Sequence, residues 1–524
     1  MPRGKLLGGF ITVLSISIGS LALGQAAGPQ VTTADGVVEG KTEFGINTFL
    51  GIPYAAPPVG ELRWKPPTPA TKWTGVRKAT EFGAHCMQGP VYSDMVFPDP
   101  GGSEDCLTLN VWAPANAKQL PVMVWIYGGG FVAGSTSEPR QHGDNLAKLG
   151  VVVVSMNYRL GIFGFFVHPG LAAESEHHAA GNYGLMDQTA ALRWVQSNIA
   201  AFGGDPGNVT IFGESAGSFS VSAQMASPLA KGLFHKAIGE SGGAFSKTGL
   251  MFRPASERAS EDAKFGKTVL GAKTIRELRA TAAQKILDAS MKNDVGRDVF
   301  SFCPDVDGYF LPKSVEAIFA ARKQNDVPLL AGWNRDEGSE RILASKDRPT
   351  AANAKAAAET DFGSHAGEFL KLYPARTDAE ALRSAEDYSG DKFIAWATWR
   401  WIEAQKKSGK QPIYRYRFDL PLPSNEKPEG LGAYHSAEIE YVFGQLDSKK
   451  GIPWRPEDYR MSELTQKYWT KFACTGDPNG EGLPKWPAYG PDDGWQVMHL
   501  SASPTAEKDT TRDRYLFLDR VWKK

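Results

Sequence analysis

Short apolar runs alternate with longer amphipathic ones along most of the chain, and that alternation sets the reading of the fold. Residues 107–112 (LTLNVW) alternate like a half-buried strand, and residues 122–127 (VMVWIY) read as a buried one. The run VVVVSMNY from Val151 is continuously apolar, as a strand covered on both faces requires. Between it and the apolar VTIF at 209–212, GNYGLMDQTAALRWVQSNIAAFGGDPGN predicts a helix closed by Gly203-Gly204 and Pro206. Further strands are predicted at HKAI, at VPLLAGW (327–333) and at IYRYRFDL from Ile413, the last strong strand; the tail then holds WQVMHL, a terminal strand, and the segment RYLFLDRVW. Ahead of all these, VTTADGVVEGKT predicts a hairpin turning at Asp35-Gly36.

Strands separated by helices in this way predict an α/β protein with a large, mostly parallel sheet and right-handed crossovers. Helical insertions are expected at about 245–326 and 340–411. In the first, Thr274 and Glu277 fit a capping box opening one helix, IRELRATAAQKILDASM. In the second, DKFIAWATWRWIEAQKK predicts a helix carrying Trp396 and Trp399, stopped by Ser408-Gly409 and Pro412. No linker divides the chain, so residues 27–524 are expected to form one domain.

The stretch NVTIFGESAGSFSVSAQM (208–225) carries the first chemistry. An apolar strand meets Gly213-Glu214-Ser215-Ala216-Gly217 and then a run of small residues able to wind into a helix. A strand–turn–helix of this kind lifts one hydroxyl above the carboxyl edge of a parallel sheet, and bulkier residues than glycine would collide there. Gly239-Glu240-Ser241-Gly242-Gly243 matches the same short pattern, but Gly-Gly after Ser241 opposes an immediate helix. Ser215 is therefore the candidate nucleophile.

A serine hydroxyl needs a base, and the base needs an orienting carboxylate. In this architecture they follow the serine in the order acid, then histidine. Histidines up to His178 precede Ser215, His235 precedes every plausible acid, His365 falls in a helical insertion and His499 in a terminal strand. His435, in a loop after the last strong strand, leads. The acid should follow VPLLAGW, where Asn334-Arg335-Asp336-Glu337-Gly338 offers Asp336 or Glu337, and spacing does not choose between them. Gly128-Gly129-Gly130, at the end of a buried strand, allows close backbone approach to a substrate, and the N–H of Ala216 is a further candidate oxyanion donor.

Composition narrows the partners. Lys+Arg and Asp+Glu are equal at 58 each, so no overall field favours nucleic acid or acidic membranes. The first 26 residues have Arg3 and Lys5 before an apolar stretch and small residues near 22–26, which reads as a secretory signal peptide. No other long apolar run follows, so no stable membrane insertion is expected after cleavage, and the location implied is secreted or periplasmic. Export makes disulfides possible. The four cysteines allow three connectivities; Cys86 and Cys106 close a short loop, and the leftover Cys303 and Cys474 either bridge or remain buried thiols. Nothing has zinc-ligand spacing, so neither metal nor cofactor is expected.

Nine motifs in order resemble the type-B carboxylesterase family, which includes cholinesterases and bacterial p-nitrobenzyl esterases. They are FLGIPYAAPPVGELRW, SEDCLTLNVW, VMVWIYGGGF, NYRLGIFGF, GNYGLMDQ, FGGDPGNVTIFGESAGS, NRDEGS, YHSAEIEYVFG and FACTGDPNG, spanning about Gly36 to Gly476. The resemblance implies the α/β-hydrolase fold and a serine carboxylic ester hydrolase working through an acyl-enzyme, with an ester and water as its partners. It implies Ser215 as nucleophile, Glu337 rather than Asp336 as acid, His435 as base, and Gly129, Gly130 and Ala216 as oxyanion donors. It implies a Cys86–Cys106 disulfide, and it places Glu214 and Ser241 as hydrogen-bonding residues beside the histidine. The cholinesterases' choline-binding Trp is missing from MQGPVYSDMVFPDPGGSED, so a quaternary-ammonium substrate is not expected. A lipase on long-chain esters and a non-catalytic binding protein on the same fold are the alternatives. The natural ester and the oligomeric state stay open.

Overall fold

Eleven strands hydrogen-bond into one sheet. In chain order they are β1 (Lys41–Glu43), β2 (Ile46–Pro53), β3 (Thr108–Pro114), β4 (Leu120–Ile126), β5 (Val152–Met156), β6 (Gly204–Glu214), β7 (Lys236–Glu240), β8 (Leu329–Asn334), β9 (Ile413–Phe418), β10 (Gln496–Leu500) and β11 (Thr505–Lys508). The computed structural model describes residues 28–247, 250–292, 299–338, 348–427 and 430–522, together with Met1 and Gly4. The apolar N-terminal segment expected to be a signal peptide lies outside the described residues.

Across the sheet the order is β11-β10-β9-β8-β7-β6-β4-β5-β3-β2-β1. Every pairing from β5 through β4 to β10 is parallel, while β1–β2, β2–β3, β3–β5 and β10–β11 are antiparallel. All residues of β5, β7 and β8 are buried, which is why β5 and β8 read as largely apolar runs without alternation. The molecule is thus an α/β-hydrolase fold. The sheet does not stop at β9: β10 and β11 extend it, using the tail segment WQVMHL. The strand β2, which ends in FLGIP, pairs with β3 across a register shift between Phe49 and Ile52.

Topology fixes the place of the site. The strand β5 lies on one side of β4 and β6 on the other, so the winding direction reverses at β4. In open α/β sheets ligands bind outside the carboxyl ends of the strands at such a reversal. Here the loop leaving β4 begins with the three glycines, and the turn leaving β6 carries Ser215.

The helices follow from local sequence with one correction. The helix α1 (Tyr183–Asn198) ends where a short 3-10 turn and Gly203, in the left-handed region at φ 83°, redirect the chain into β6. The helix α2 (Ala216–Ala226) is buried at every residue. Its serines bond back to nearby carbonyls, with Ser218 donating to Gly242 and Ser220 to Ala216, so a run of small residues can sit against the sheet without orphaned hydroxyls. The single helix expected from IRELRATAAQKILDASM is two helices, Ile275–Ala280 and Ala283–Met291. The capping box at Thr274 and Glu277 forms, but Thr281 leaves the helical region at ψ 134°. In the second helical stretch, Asp378–Gly390 runs through a π-turn at Asp391–Ala395 into Trp396–Ser408, which ends at Gly409.

Candidate active site

The turn between β6 and α2 holds Ser215 at φ 53° and ψ −122°, a strained conformation that points a side chain out of the sheet edge. Its amide donates to the Glu240 carbonyl (2.9 Å), tying the elbow to β7. The two flanking glycines are sterically obligatory. A Cβ on Gly213 would lie 2.6 Å from the carbonyl carbon of Gly217 and from the Ile126 oxygen, and one on Gly217 would lie 1.9 Å from that oxygen.

The loop after β9 brings His435 to this hydroxyl. The Nε2 atom of His435 is 2.9 Å from Ser215 Oγ, and Nδ1 is 2.7 Å from Glu337 Oε2. The other oxygen, Glu337 Oε1, accepts from Ser241 Oγ (2.6 Å) and from the amide of Asn334 (2.8 Å). Three donors therefore hold the carboxylate in one orientation, which in turn fixes the ring. With Nδ1–H donating to Glu337, Nε2 faces the serine hydroxyl.

The adjacent acid is committed elsewhere. Asp336 bonds with Arg335 and Arg383 and accepts from the amide of Ala433, while its own amide donates to the Ala433 carbonyl. These contacts aim Asp336 away from the ring and leave Glu337 facing it. Ser241, the other match to the short serine pattern, is fully buried at φ 52° and spends its hydroxyl on Glu337.

A second carboxylate reaches the same ring. Glu214 Oε1 lies 3.3 Å from His435 Nε2 and accepts from Ser436 Oγ at 2.6 Å. Burial disfavours a charged imidazole, but Glu214 first and Glu337 next outweigh it, and the ring is held up at about 9. The acids respond in the opposite way. Burial, with Glu214 and Glu337 nearby, pushes Glu438 up to about 8, and burial with Glu438 pushes Glu240 well above the carboxylate range. Ser436 and the pair Glu240 and Glu438 were not singled out from sequence; the only signal was their place within or beside motifs already noted.

The glycine loop closes over the elbow. Gly129 and Gly130 adopt φ 96° and 64°, and a Cβ on Gly128 would sit 3.1 Å from Ser215 Cβ. The Gly129 carbonyl accepts from both Val132 and Ala133, which folds the loop into a tight turn. Ala216 is the first residue of α2, so its N–H is among those a helix start leaves without an intrahelical partner. Ser215, His435, Gly129 and Gly130 all line one cavity of about 1700 Å³. Apolar groups including Phe219, Met251, Phe300, Tyr388 and Phe393 share its wall with Asp94, Arg140 and Lys392. Phe393, carried by the π-turn, meets the His435 ring edge-on at 4.9 Å. An aromatic in a helical run reads as core, so its place here was not legible.

Cys86 and Cys106 are disulfide-bonded. Cys303 and Cys474 are not bonded to each other: Cys303 is a buried thiol on the cavity wall, and Cys474 lies near the C-terminal end of the helix Pro456–Thr475. The possible second disulfide is therefore absent. The other late histidines take no part: His365 ends a 3-10 turn, and His499 pairs with Asp419 at 2.6 Å.

Comparison with known proteins agrees over nearly the whole chain. The carboxylesterase family model matches residues 27–518. The para-nitrobenzyl esterase of Bacillus subtilis (strain 168) is 38% identical over 497 residues, covering 92% of this chain and 97% of that protein. The liver carboxylesterase of Sus scrofa is 36% identical over 532 residues, covering 93% and 92%. A solved thermophilic PNB esterase superposes with a TM-score of 0.80 at 38% identity, covering 93% of this chain and 99% of that one. With this elbow, this fold and these relatives, the chain belongs to the carboxylesterase family and is a serine carboxylic ester hydrolase.

Proposed function

We propose that Ser215, His435 and Glu337 hydrolyse a carboxylic ester through an acyl-enzyme. The observation that carries this is the unbroken series Ser215 Oγ to His435 Nε2 (2.9 Å) and His435 Nδ1 to Glu337 Oε2 (2.7 Å). His435 takes the hydroxyl proton as Oγ attacks the ester carbonyl, and Glu337 stabilises the imidazolium that forms. The carbonyl oxygen, now negative, is held by the N–H groups of Gly129, Gly130 and Ala216. His435 then protonates the departing alcohol. Water, deprotonated by the same ring, clears the acyl group and regenerates Ser215. Glu214, the other carboxylate at Nε2, favours the protonated ring in both steps.

The cavity of about 1700 Å³ exceeds the few hundred to about 1000 Å³ of ordinary ligand sites, which leaves room for a bulky ester. The apolar signal-like segment 1–26 and the Cys86–Cys106 disulfide support a secreted or periplasmic enzyme. The test is Ser215→Ala assayed on p-nitrophenyl esters. Loss of kcat by up to about 10⁶-fold is expected, by analogy with comparable triads. Turnover near the wild-type rate would overturn the assignment.

A further inference from the structure

The Cys86–Cys106 loop does more than border the cavity, because two of its side chains grip the segment that follows the three glycines, Gln88 through backbone and Asp99 through serine hydroxyls. The Gln88 carboxamide makes a paired contact with Gly134: Nε2 donates to its carbonyl (2.8 Å) and Oε1 accepts from its amide (2.8 Å). Asp99, on the far side of the loop, accepts from Ser135 Oγ (2.8 Å) and Ser137 Oγ (2.7 Å) through one oxygen. Its other oxygen is 2.7 Å from His85 Nδ1 and accepts from the amide of Gly101. The Asp99 side chain is wholly buried, and Ser135 and Ser137 are fully buried with it. Beyond these grips the segment is pinned by Gly161 N–H to the Phe131 carbonyl (2.7 Å) and by Thr136 N–H to Asn157 Oδ1 (3.1 Å).

Gly134 sits at φ 131°, and a Cβ there would lie 2.3 Å from the Tyr127 ring, so the backbone packs directly against that ring and leaves no room for a side chain. Four and five residues earlier the same stretch must present the amides of Gly130 and Gly129, each at positive φ. A glycine-rich segment has little conformational preference of its own to hold that geometry. We propose that the disulfide loop sets it: Gln88 and Asp99 are positioning residues that hold the glycine loop in the conformation able to bind the oxyanion. The role rests on the ester-hydrolase reading above. It also gives the Cys86–Cys106 bond a catalytic consequence, since the bond anchors both ends of the loop that carries the grips.

The experiment compares Gln88→Ala and Asp99→Asn with wild type on p-nitrophenyl butyrate, and measures inhibition by a trifluoromethyl ketone. With that ketone, Ser215 Oγ bonds to the carbonyl carbon and its proton passes to His435. The carbonyl electron pair becomes an oxyanion facing the glycine loop. Removing one oxyanion donor typically costs about 10²–10³ in kcat. Displacing two partway is expected to lower kcat by about 10–100-fold, with KM within about threefold. Affinity for the ketone should fall by the same factor as kcat/KM. Unchanged kcat in Gln88→Ala, or a lower kcat with ketone affinity unaltered, overturns the proposal. Should Asp99→Asn fail to fold, Gln88→Ala decides by the same two readouts. A wild-type protein without turnover would overturn the ester-hydrolase reading itself, whereas an active wild type with fully active variants removes only the clamp.

Discussion

At the residue scale the site is a contest of charges around one imidazole. Glu214 at 3.3 Å and Glu337 at 2.7 Å both stabilise the protonated ring, so more base is needed to deprotonate His435. The proposed mechanism needs the neutral ring, so a raised value is expected to shift the onset of activity upward. The kcat/KM profile is thus expected to rise with pH on the alkaline side of an ordinary imidazole, toward about 9. Glu214→Gln removes the strongest of the charges holding the ring up. Its midpoint is expected to move toward acid by about one unit, the usual lower size of a neighbouring-charge effect. A profile flat between about pH 5 and 8 in wild type, or unmoved in the variant, contradicts this. Much of the site was legible residue by residue: the glycines of the elbow had a steric reason, and chain order singled out His435. The choice between Asp336 and Glu337 was not, because neighbours in a turn diverge according to long-range contacts. Here those are the Ala433 backbone and Arg383, about 50 to 100 residues away in sequence, and only family resemblance favoured Glu337.

At the element scale the elbow works because β6, the tight turn and α2 are made of residues small enough to interpenetrate. Gly217→Ala tests this without touching a reacting group. Its Cβ would meet the Ile126 carbonyl, a backbone atom unable to swing aside, so β4 or α2 must move. Overpacking of this kind costs about 1–3 kcal/mol. Misplacement of a reacting group by about 1 Å can cost about 100-fold in rate. The variant is expected to fold with a lowered midpoint and lose at least about tenfold in kcat; wild-type kcat would show that the elbow tolerates a side chain. The strands β5 and β8 were legible as apolar runs because they are covered on both faces. The break at Thr281 was not, since both halves of that stretch share good helix-forming residues. Nor was the π-turn that delivers Phe393, because helical periodicity does not register one extra residue in a turn.

At the scale of the whole molecule, charge balance and the sheet say little about which ester is cleaved, and the chemistry is local to the switch at β4. Covalent state is a whole-molecule property that can be weighed directly. Intact mass of the exported protein is expected to show loss of about the first 26 residues, the length over which the signal-like pattern runs. Titration of the denatured, unreduced chain should find two thiols, Cys303 and Cys474, rising to four on reduction. No reactive thiols before reduction would restore the second disulfide considered from sequence. The four cysteines could not be paired by reading alone, because connectivity depends on which loops the fold brings together. Among the described residues no helix is long and apolar enough to cross a membrane.

The central claim is that one hydroxyl of the two similarly framed serines does the chemistry. Diethyl p-nitrophenyl phosphate tests it: serine oxygen replaces p-nitrophenolate on phosphorus, leaving a diethylphosphoryl group whose peptide can be located by mass spectrometry. Stoichiometric labelling of Ser215 is expected, in step with loss of esterase activity, and none of Ser241. Full inactivation with the label on Ser241, or full activity retained by protein labelled at Ser215, would contradict it.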